Sequence, residues 1–297
     1  MNYIILDLEW DGSYYPKIGR FINQILQIGA VKLNDRFDIV DTFDVTIKSS
    51  FSKRVSKRFA ELTGITKHDM LAGVPLDEAF AAYNDWVGEG AVTMTWSNSD
   101  IYTLLENEKN LLSGVKLRIE KYIDLQKYIQ CIMRERGIEC TSQISLLNAA
   151  NVFEINIDET ELHNAKNDST VCAKLLKKCY DPELFSSMIT DTSAPDFFAR
   201  YTFKPYVIKS ADDEYLDKKY LCFNCMECGL PLTLRGNWRF RGGALLAELK
   251  CVSCGINYRA VIRARRLFDG VRVKRKLNVK KTEKTNDDEM SDMSEKV

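Results

Sequence analysis

The chain predicts an α/β domain followed by a small β-rich module built around cysteines. Three observations carry this. Short β-type apolar runs alternate with segments of helical spacing over residues 1–185. Two Cys-x2-Cys-Gly pairs then stand in β-rich sequence near residues 225 and 251. The charge is also divided unevenly. Residues 1–229 carry 26 basic and 34 acidic groups, residues 230–281 carry 14 and 2, and residues 282–297 carry 2 and 6, although the totals balance at 42 each. The expected organisation is an α/β domain over 1–185, a partly ordered linker over 186–217, a basic cysteine module over 218–281 and a disordered acidic tail over 282–297. No run of twenty apolar residues occurs, and the chain starts on a charged strand, so no membrane span or signal peptide is expected and the expected location is cytoplasmic.

The first strand is expected at residues 3–9, where Asp7 and Glu9 fall on one face and Leu6 and Leu8 on the other. After a Gly- and Tyr-containing loop, residues 25–33 read as a second strand and residues 38–47 as a third, with the tight Asn34-Asp35 connection suggesting an antiparallel meander. Residues 75–89 place Leu76, Ala79, Phe80, Tyr83, Trp86 and Val87 on one helical stripe, with Pro75 at the start and Asp77 and Glu78 in the first turn. Residues 91–96 read as a buried strand, handing over near Asp100 to a helix. Further helices are expected at 117–136, stopped by Gly137, at 142–152, and at 164–179 with Val171, Leu175 and Leu176 buried.

In the C-terminal module, Cys225, Cys228, Cys251 and Cys254 have the spacing of a tetrahedral structural zinc site. Residues 230–234, 245–249 and 257–267 read as strands, giving a zinc ribbon whose folding leans on the metal. Cys222 lacks the following glycine and reads as an extra thiol; Cys131, Cys140, Cys172 and Cys179 read as packing. The strands carry Arg235, Arg239, Arg241, Arg259, Arg263, Arg265 and Arg266, interleaved with Trp238, Phe240 and Tyr258. Arginines with aromatics suit single-stranded nucleic acid, through phosphate contacts and stacking. A merely solvated basic face, a protein-docking module and a brace on the acidic domain are the competing readings.

Two carboxylates on one strand face repel, and a divalent cation is what relieves them; a solvent-facing edge strand is the plain alternative. Asp100 stands where a strand hands over to a helix, a position that suits a ligand and equally an N-cap. His163, one of two histidines in the chain, precedes Asp168 by five residues at a helix entrance, where a surface role is the ordinary one. Together, however, Asp-x-Glu, then Asp, then His-x4-Asp resembles the DnaQ-like (RNase T superfamily) 3′–5′ exonucleases of the DEDDh type over residues 1–182. Residues 25–31 resemble that family's second strand, and Leu62-Thr63-Gly64-Ile65-Thr66 a segment near its terminal nucleotide. Within the superfamily the chain looks most like the branch of KapD and the histone-mRNA exonucleases.

The resemblance implies an RNase H-like mixed sheet flanked by helices. It implies that Asp7, Glu9, Asp100 and Asp168 hold two Mg²⁺ or Mn²⁺ ions for phosphodiester hydrolysis, with Asp7 as the bridge; the one Zn²⁺ expected in the ribbon rests on the cysteine spacing instead. His163 would accept the proton of the attacking water, since a histidine titrates near ~6.5. Trp10, Thr63 and Ile65 would lie near the terminal nucleotide, although Ile65 also fits a core position; Trp86 and Trp96 read as core. The expected partner is single-stranded RNA or DNA, undecided between the two, with a protein partner for the ribbon as the alternative. The rival function is a catalytically silent nucleic-acid-binding protein; a transcription factor built on the ribbon would explain only the smaller module.

Overall fold

The computed structural model describes residues 2–112, 114–140, 143–158 and 162–280. The expected acidic tail and the first residue of the helix expected at 142 lie outside them. The chain divides into two compact units, Met1–Thr202 and Phe203–Val297.

The first unit is built on a six-stranded mixed sheet: β1 (Tyr3–Tyr15), β2 (Arg20–Leu33), β3 (Ile39–Thr46), β4 (Val92–Thr95), β5 (Lys121–Asp124) and β6 (Thr190–Asp191), in the order β3-β2-β1-β4-β5-β6. The expected meander of β1, β2 and β3 is antiparallel, β1, β4 and β5 are parallel, and β6 closes the edge antiparallel. Helices cover both faces. On one, Ile5, Val31, Leu33, Val92, Met94 and Ile123 pack against α5 (Leu125–Glu135), α6 (Leu146–Val152), α7 (Ala165–Cys179) and α8 (Pro182–Met188). On the other, Ile4, Leu6, Leu8 and Ile28 meet Phe80 and Tyr83 of α3 (Leu76–Val87), Leu104 of α4 (Ser99–Leu111) and Phe197 of α9 (Phe197–Thr202). No helix of the described residues is long and apolar enough to cross a membrane.

Several expectations are corrected. The loop expected after residue 9 is the far half of a long hairpin, because β1 and β2 stay paired to Tyr15 and Arg20. Its covered face is polar, with Asp11, Ser13 and Gln24 all buried, so hydrophobic alternation fades while pairing continues. The helix expected over 117–136 is β5 followed at once by α5. A strand buried on its flanks, joined to a helix without Gly or Pro, leaves no periodicity break to read. Two short helices, α1 (Lys57–Thr63) and α2 (Lys67–Ala72), were not expected; both are set by local caps, Ser56 and Thr66.

The segment expected as a linker is packed. Phe197 is buried among Tyr122 and Tyr201 in the first unit, while Ile208 and Leu216 are buried in the second. In that second unit β7 (Tyr206–Val207), β8 (Thr233–Arg241), β9 (Ala244–Lys250), β10 (Asn257–Leu267) and β11 (Gly270–Val279) form one antiparallel sheet, β11-β10-β9-β8, with β7 also on β10. The strand expected at 230–234 begins at Thr233 and runs to Arg241, and β11, whose charges mask its alternation, was not expected.

Candidate active site and cysteine site

β1 is paired with β4 only through Ile5, and its continuation past that ladder carries Asp7 and Glu9. Where β4 ends, α4 begins, and Asp100 in its first turn turns back: the Leu8 N–H donates to Asp100 Oδ1 at 3.1 Å. Asp100 is thus not the helix N-cap, which is Asn98; it is buried and satisfies a backbone donor that β4 no longer reaches. The preceding Ser97 sits at φ 91°, and its carbonyl accepts from the Tyr122 hydroxyl (3.0 Å) and from the Thr95 hydroxyl, which are themselves 2.7 Å apart. This lock fixes the entry to α4.

The fourth carboxylate arrives on α7. Asn164 caps the helix, accepting from Asn167 N at 3.3 Å, and Ala165 N donates to Gln27 Oε1 at 3.2 Å. Ser169 Oγ donates to the Gly29 carbonyl at 3.3 Å. Gln27 and Gly29 are the β2 residues opposite Glu9 and Asp7. A Cβ on Gly29 would lie 2.2 Å from Lys166 N, so only glycine lets α7 seat this closely. Asp7, Glu9 and Asp168 consequently present carboxylate oxygens within 4.8 Å of one another, and Asp100 is not part of that inner group. Gln27 and Gly29 were missed by the sequence reading; a lone glycine inside a strand was the available signal.

Burial and crowding disturb these acids strongly. Asp7 is pushed well above the carboxylate range, first by desolvation and then by Asp100, Glu9 and Asp168. Glu9 rises to about 8 by desolvation and by the charges of Asp168 and Asp100, and Asp100 to about 7, mainly by desolvation. Asp168 rises to about 6 through desolvation, held down by the charge and the backbone N–H of His163. Asp168 Oδ1 is buried without a hydrogen-bond partner. An orphaned carboxylate oxygen among like charges is the donor set of a cation site, so these residues fit metal binding. His163 itself is exposed, at φ 66°, just before the helix.

The proposed nucleotide contacts fare unevenly. Strand alternation puts the Trp10 side chain on the face opposite Asp7 and Glu9, packed against the core beneath α3 and α4. Ile65 is buried with Leu26, Phe59 and Met70, which corrects it to a core residue. The Thr63 hydroxyl donates to the Phe59 carbonyl (2.9 Å) and accepts from Ile65 N (3.1 Å), closing α1. Trp86 and Trp96 are half-buried against the two cores, as expected.

In the second unit the four expected cysteines converge, every sulfur within 4.8 Å of the others. The two knuckles share one construction. Cys225 N donates to the Leu230 carbonyl (2.8 Å) and Gly229 N to the Cys225 carbonyl (3.0 Å); Cys251 N donates to the Ile256 carbonyl and Gly255 N to the Cys251 carbonyl (both 2.9 Å). Gly229 and Gly255 supply the left-handed turns, φ 72° and 71°. The hydroxyl of buried Tyr258 lies 3.2 Å from Cys225 Sγ and draws that thiol down to about 6, whereas Cys254 is pushed up to about 12 by Cys228 first and its other neighbours. Sulfurs this close cannot all ionise without a cation, so this cluster also fits metal binding. Cys222 stands outside the cluster as an exposed thiol.

Register sorts the arginines. Arg235, Arg239, Arg241, Arg259, Arg263 and Arg265 share one exposed sheet face, joined from β11 by Lys274 and Lys276. Arg266 turns to the other side, over the Tyr215 ring at 4.5 Å. The aromatics expected to interleave with them lie on that opposite side too: Tyr258 is fully buried and Trp238 packs into the core, while Phe240, opposite buried Leu245, is itself exposed.

The RNase_T family, described as Exonuclease, matches residues 4–176, which include Asp7, Glu9, Asp100, His163 and Asp168. No curated protein matches the chain. Among solved structures, cell-death related nuclease 4 (CRN-4) is similar at 15% identity with a TM-score of 0.50, over 81% of this chain and 74% of that one. A full-length 3′-exonuclease is similar at 18% identity (TM-score 0.50, 63% and 61% covered), as is a 3′-exonuclease recognising the 3′ end of a histone mRNA stem-loop at 17% (TM-score 0.52, 64% and 84% covered). These likenesses are of fold, and with the family match spanning more than half of the sequence, the chain belongs to the RNase_T exonuclease family.

Proposed function

We propose that the protein is a divalent-metal-dependent 3′–5′ exonuclease that removes nucleotides from single-stranded RNA or DNA. The observation that carries this reading is the convergence of Asp7, Glu9 and Asp168, with an orphaned buried oxygen on Asp168, backed by Asp100. The polarity is supported by the 3′-exonucleases among its structural neighbours. All-oxygen donors favour Mg²⁺ or Mn²⁺. When bound, such a pair supplies charge neutralisation for the phosphodiester and activation of the attacking water. The chain supplies the rest: four carboxylates position the ions, Asp7 central among them, and exposed His163 beside Asp168 accepts the water's proton.

The four cysteines hold one structural Zn²⁺, with Tyr258 stabilising the Cys225 thiolate, in a reducing compartment such as the cytoplasm. The arginine face, with Arg235, Arg239, Arg241, Arg259 and Arg263, tethers nucleic acid by its phosphates. Because the aromatics turn away from that face, phosphate contact rather than base stacking is its mode.

The test is cleavage of 3′- and 5′-end-labelled single-stranded RNA and DNA in Mg²⁺, Mn²⁺ or EDTA. Metal-dependent shortening from the 3′ end is expected, and the faster substrate names the preferred sugar. Tight binding without shortening in any condition would replace this reading with that of a silent binding protein.

A further inference from the structure

The exonuclease unit is net acidic, with 22 basic and 29 acidic residues over 1–202. Within it, residues 48–58 hold Lys48, Lys53, Arg54, Lys57 and Arg58 and no acid at all, and all five are exposed. Among the described residues Lys57 alone of the five lies within ion-pair distance of a carboxylate, Glu61 at 3.5 Å, and that pair is exposed. Five like charges on so short a stretch repel one another, and a unit already rich in charge does not need them for solubility.

This arm is also firmly held. The buried Asp11 carboxylate accepts from Ser56 N at 2.7 Å, Ser49 Oγ donates to buried Gln24, and Phe51 packs on Tyr15 with ring centroids 4.7 Å apart. Gln24 in turn donates to Ser13 at 2.8 Å, and Phe59 closes the far end in the cluster with Leu26. Asp11, Ser13 and Tyr15 follow Asp7 and Glu9 at alternate positions of β1, past a bulge after Glu9 whose extra residue, Leu26, lies on β2. Asp11 stands two residues past Glu9, about 7 Å along the strand. The polar face of the long hairpin therefore serves to pin a cationic arm beside the acidic cluster.

We infer that residues 48–58 form a phosphate-binding site for the nucleic-acid strand, gripping the phosphodiesters next to the one being cleaved. The identity of the strand rests on the exonuclease reading; the polyanion chemistry of the arm does not. The acidic cluster repels a polyphosphate wherever its ions do not neutralise it, and a rigid cationic arm one strand-step away offsets that repulsion. Contacts of this kind hold a strand without reading its sequence.

The test replaces Lys53, Arg54, Lys57 and Arg58 together by Gln in the full chain. Affinity for a labelled oligonucleotide of about 12 nucleotides is measured against salt, with Asp168→Asn added so that binding is read without turnover. The expected result is a loss of about tenfold or more, with the slope of log affinity against log salt flatter by about 0.7 per lost contact. A companion exchanging each Lys for Arg and each Arg for Lys keeps the charge and should retain the affinity. In the turnover-competent chain, KM for the oligonucleotide should rise far more than KM for a nucleoside p-nitrophenyl phosphate ester, which has no neighbouring phosphodiester. Unchanged affinity and slope in a folded quadruple variant, or equal losses on both substrates, would overturn the inference. If the parent protein binds through the arm yet hydrolyses neither substrate, the exonuclease reading fails while the phosphate site stands.

Discussion

The two cation-fitting clusters of this protein are built in opposite ways. The cysteine site is made of two local turns with the same hydrogen bonds, each complete within six residues, and the sheet has only to bring them together. The carboxylate site has no local unit. Asp7 and Glu9 come from a strand, Asp100 from a helix start over 90 residues later, and Asp168 from another helix seated on a glycine. The first can be recognised from spacing; the second depends on contacts between elements far apart in sequence.

The largest expected effect breaks the carboxylate site at its centre. Asp168→Asn and Asp7→Asn should each lower hydrolysis by about a thousandfold or more, in keeping with the rate that preorganised charge supplies. The same Asp7→Asn change should raise the melting temperature of the metal-free protein, because it removes a buried carboxyl that must either take up a proton on folding or hold its charge against Asp100, Glu9 and Asp168. Activity and stability moving in opposite directions is the signature of a site built for a cation. A variant that loses both would instead mark Asp7 as a structural residue.

Gly29→Ala tests the tertiary half of the comparison without touching a carboxylate. The added methyl would meet the α7 backbone at 2.2–2.3 Å, so the helix must lift. Overpacking of this kind costs about 1–3 kcal/mol, and misplacing Asp168 by about an ångström should cost activity on the order of a hundredfold. Thermal denaturation and turnover read the two effects separately. Wild-type turnover in this variant would show that α7 is not positioned through Gly29.

This contrast also explains what was legible in the sequence. The cysteines could be placed because each knuckle carries its own geometry, and the carboxylates because their order resembles a family. The face of Trp10, the burial of Ile65 and the segregation of Tyr258 from its flanking arginines could not, since each turns on register and packing that a linear pattern does not record. The strand Lys121–Asp124 was lost for a related reason: Tyr122 is buried with its hydroxyl bonded to Thr95 and Ser97, so it shows neither an amphipathic alternation nor a turn at its end.

On the other side of the comparison, a zinc-selective chelator should unfold the second unit while sparing the first. Its core is small, confined to residues around Tyr258 and Ile262, so a metal bound by the four cysteines would provide much of its folding energy. Circular dichroism should lose strand signal, affinity for long oligonucleotides should fall about tenfold or more, and cleavage of a dinucleotide should change little. Equal losses on long and short substrates would mean that the unit braces the catalytic domain instead of tethering its substrate.

The smallest effect, and the one that separates the clusters by their chemistry, is the pH dependence of the metal-free exonuclease unit. Glu9, Asp100 and Asp168 are raised to about 8, 7 and 6 in the fold from ordinary values of 4.5, 3.8 and 3.8. The folded state therefore holds protons that the unfolded state has released, and the stability this gives is present in acid and lost as pH rises toward 8. In EDTA the first unit's melting temperature should fall across this window by several degrees, on the order of 2–4 °C per kcal/mol for a domain of this size. Asp7→Asn, with fewer like charges to confine, should fall less and serves as the control for other titrating groups. Added Mn²⁺ should stabilise most at the alkaline end, where it replaces protons already lost, and least near pH 5, where it must displace them. A metal-free melting temperature that is flat in both proteins would show that these acids relax apart without a cation, and the preorganisation argued for the carboxylate site would have to be given up.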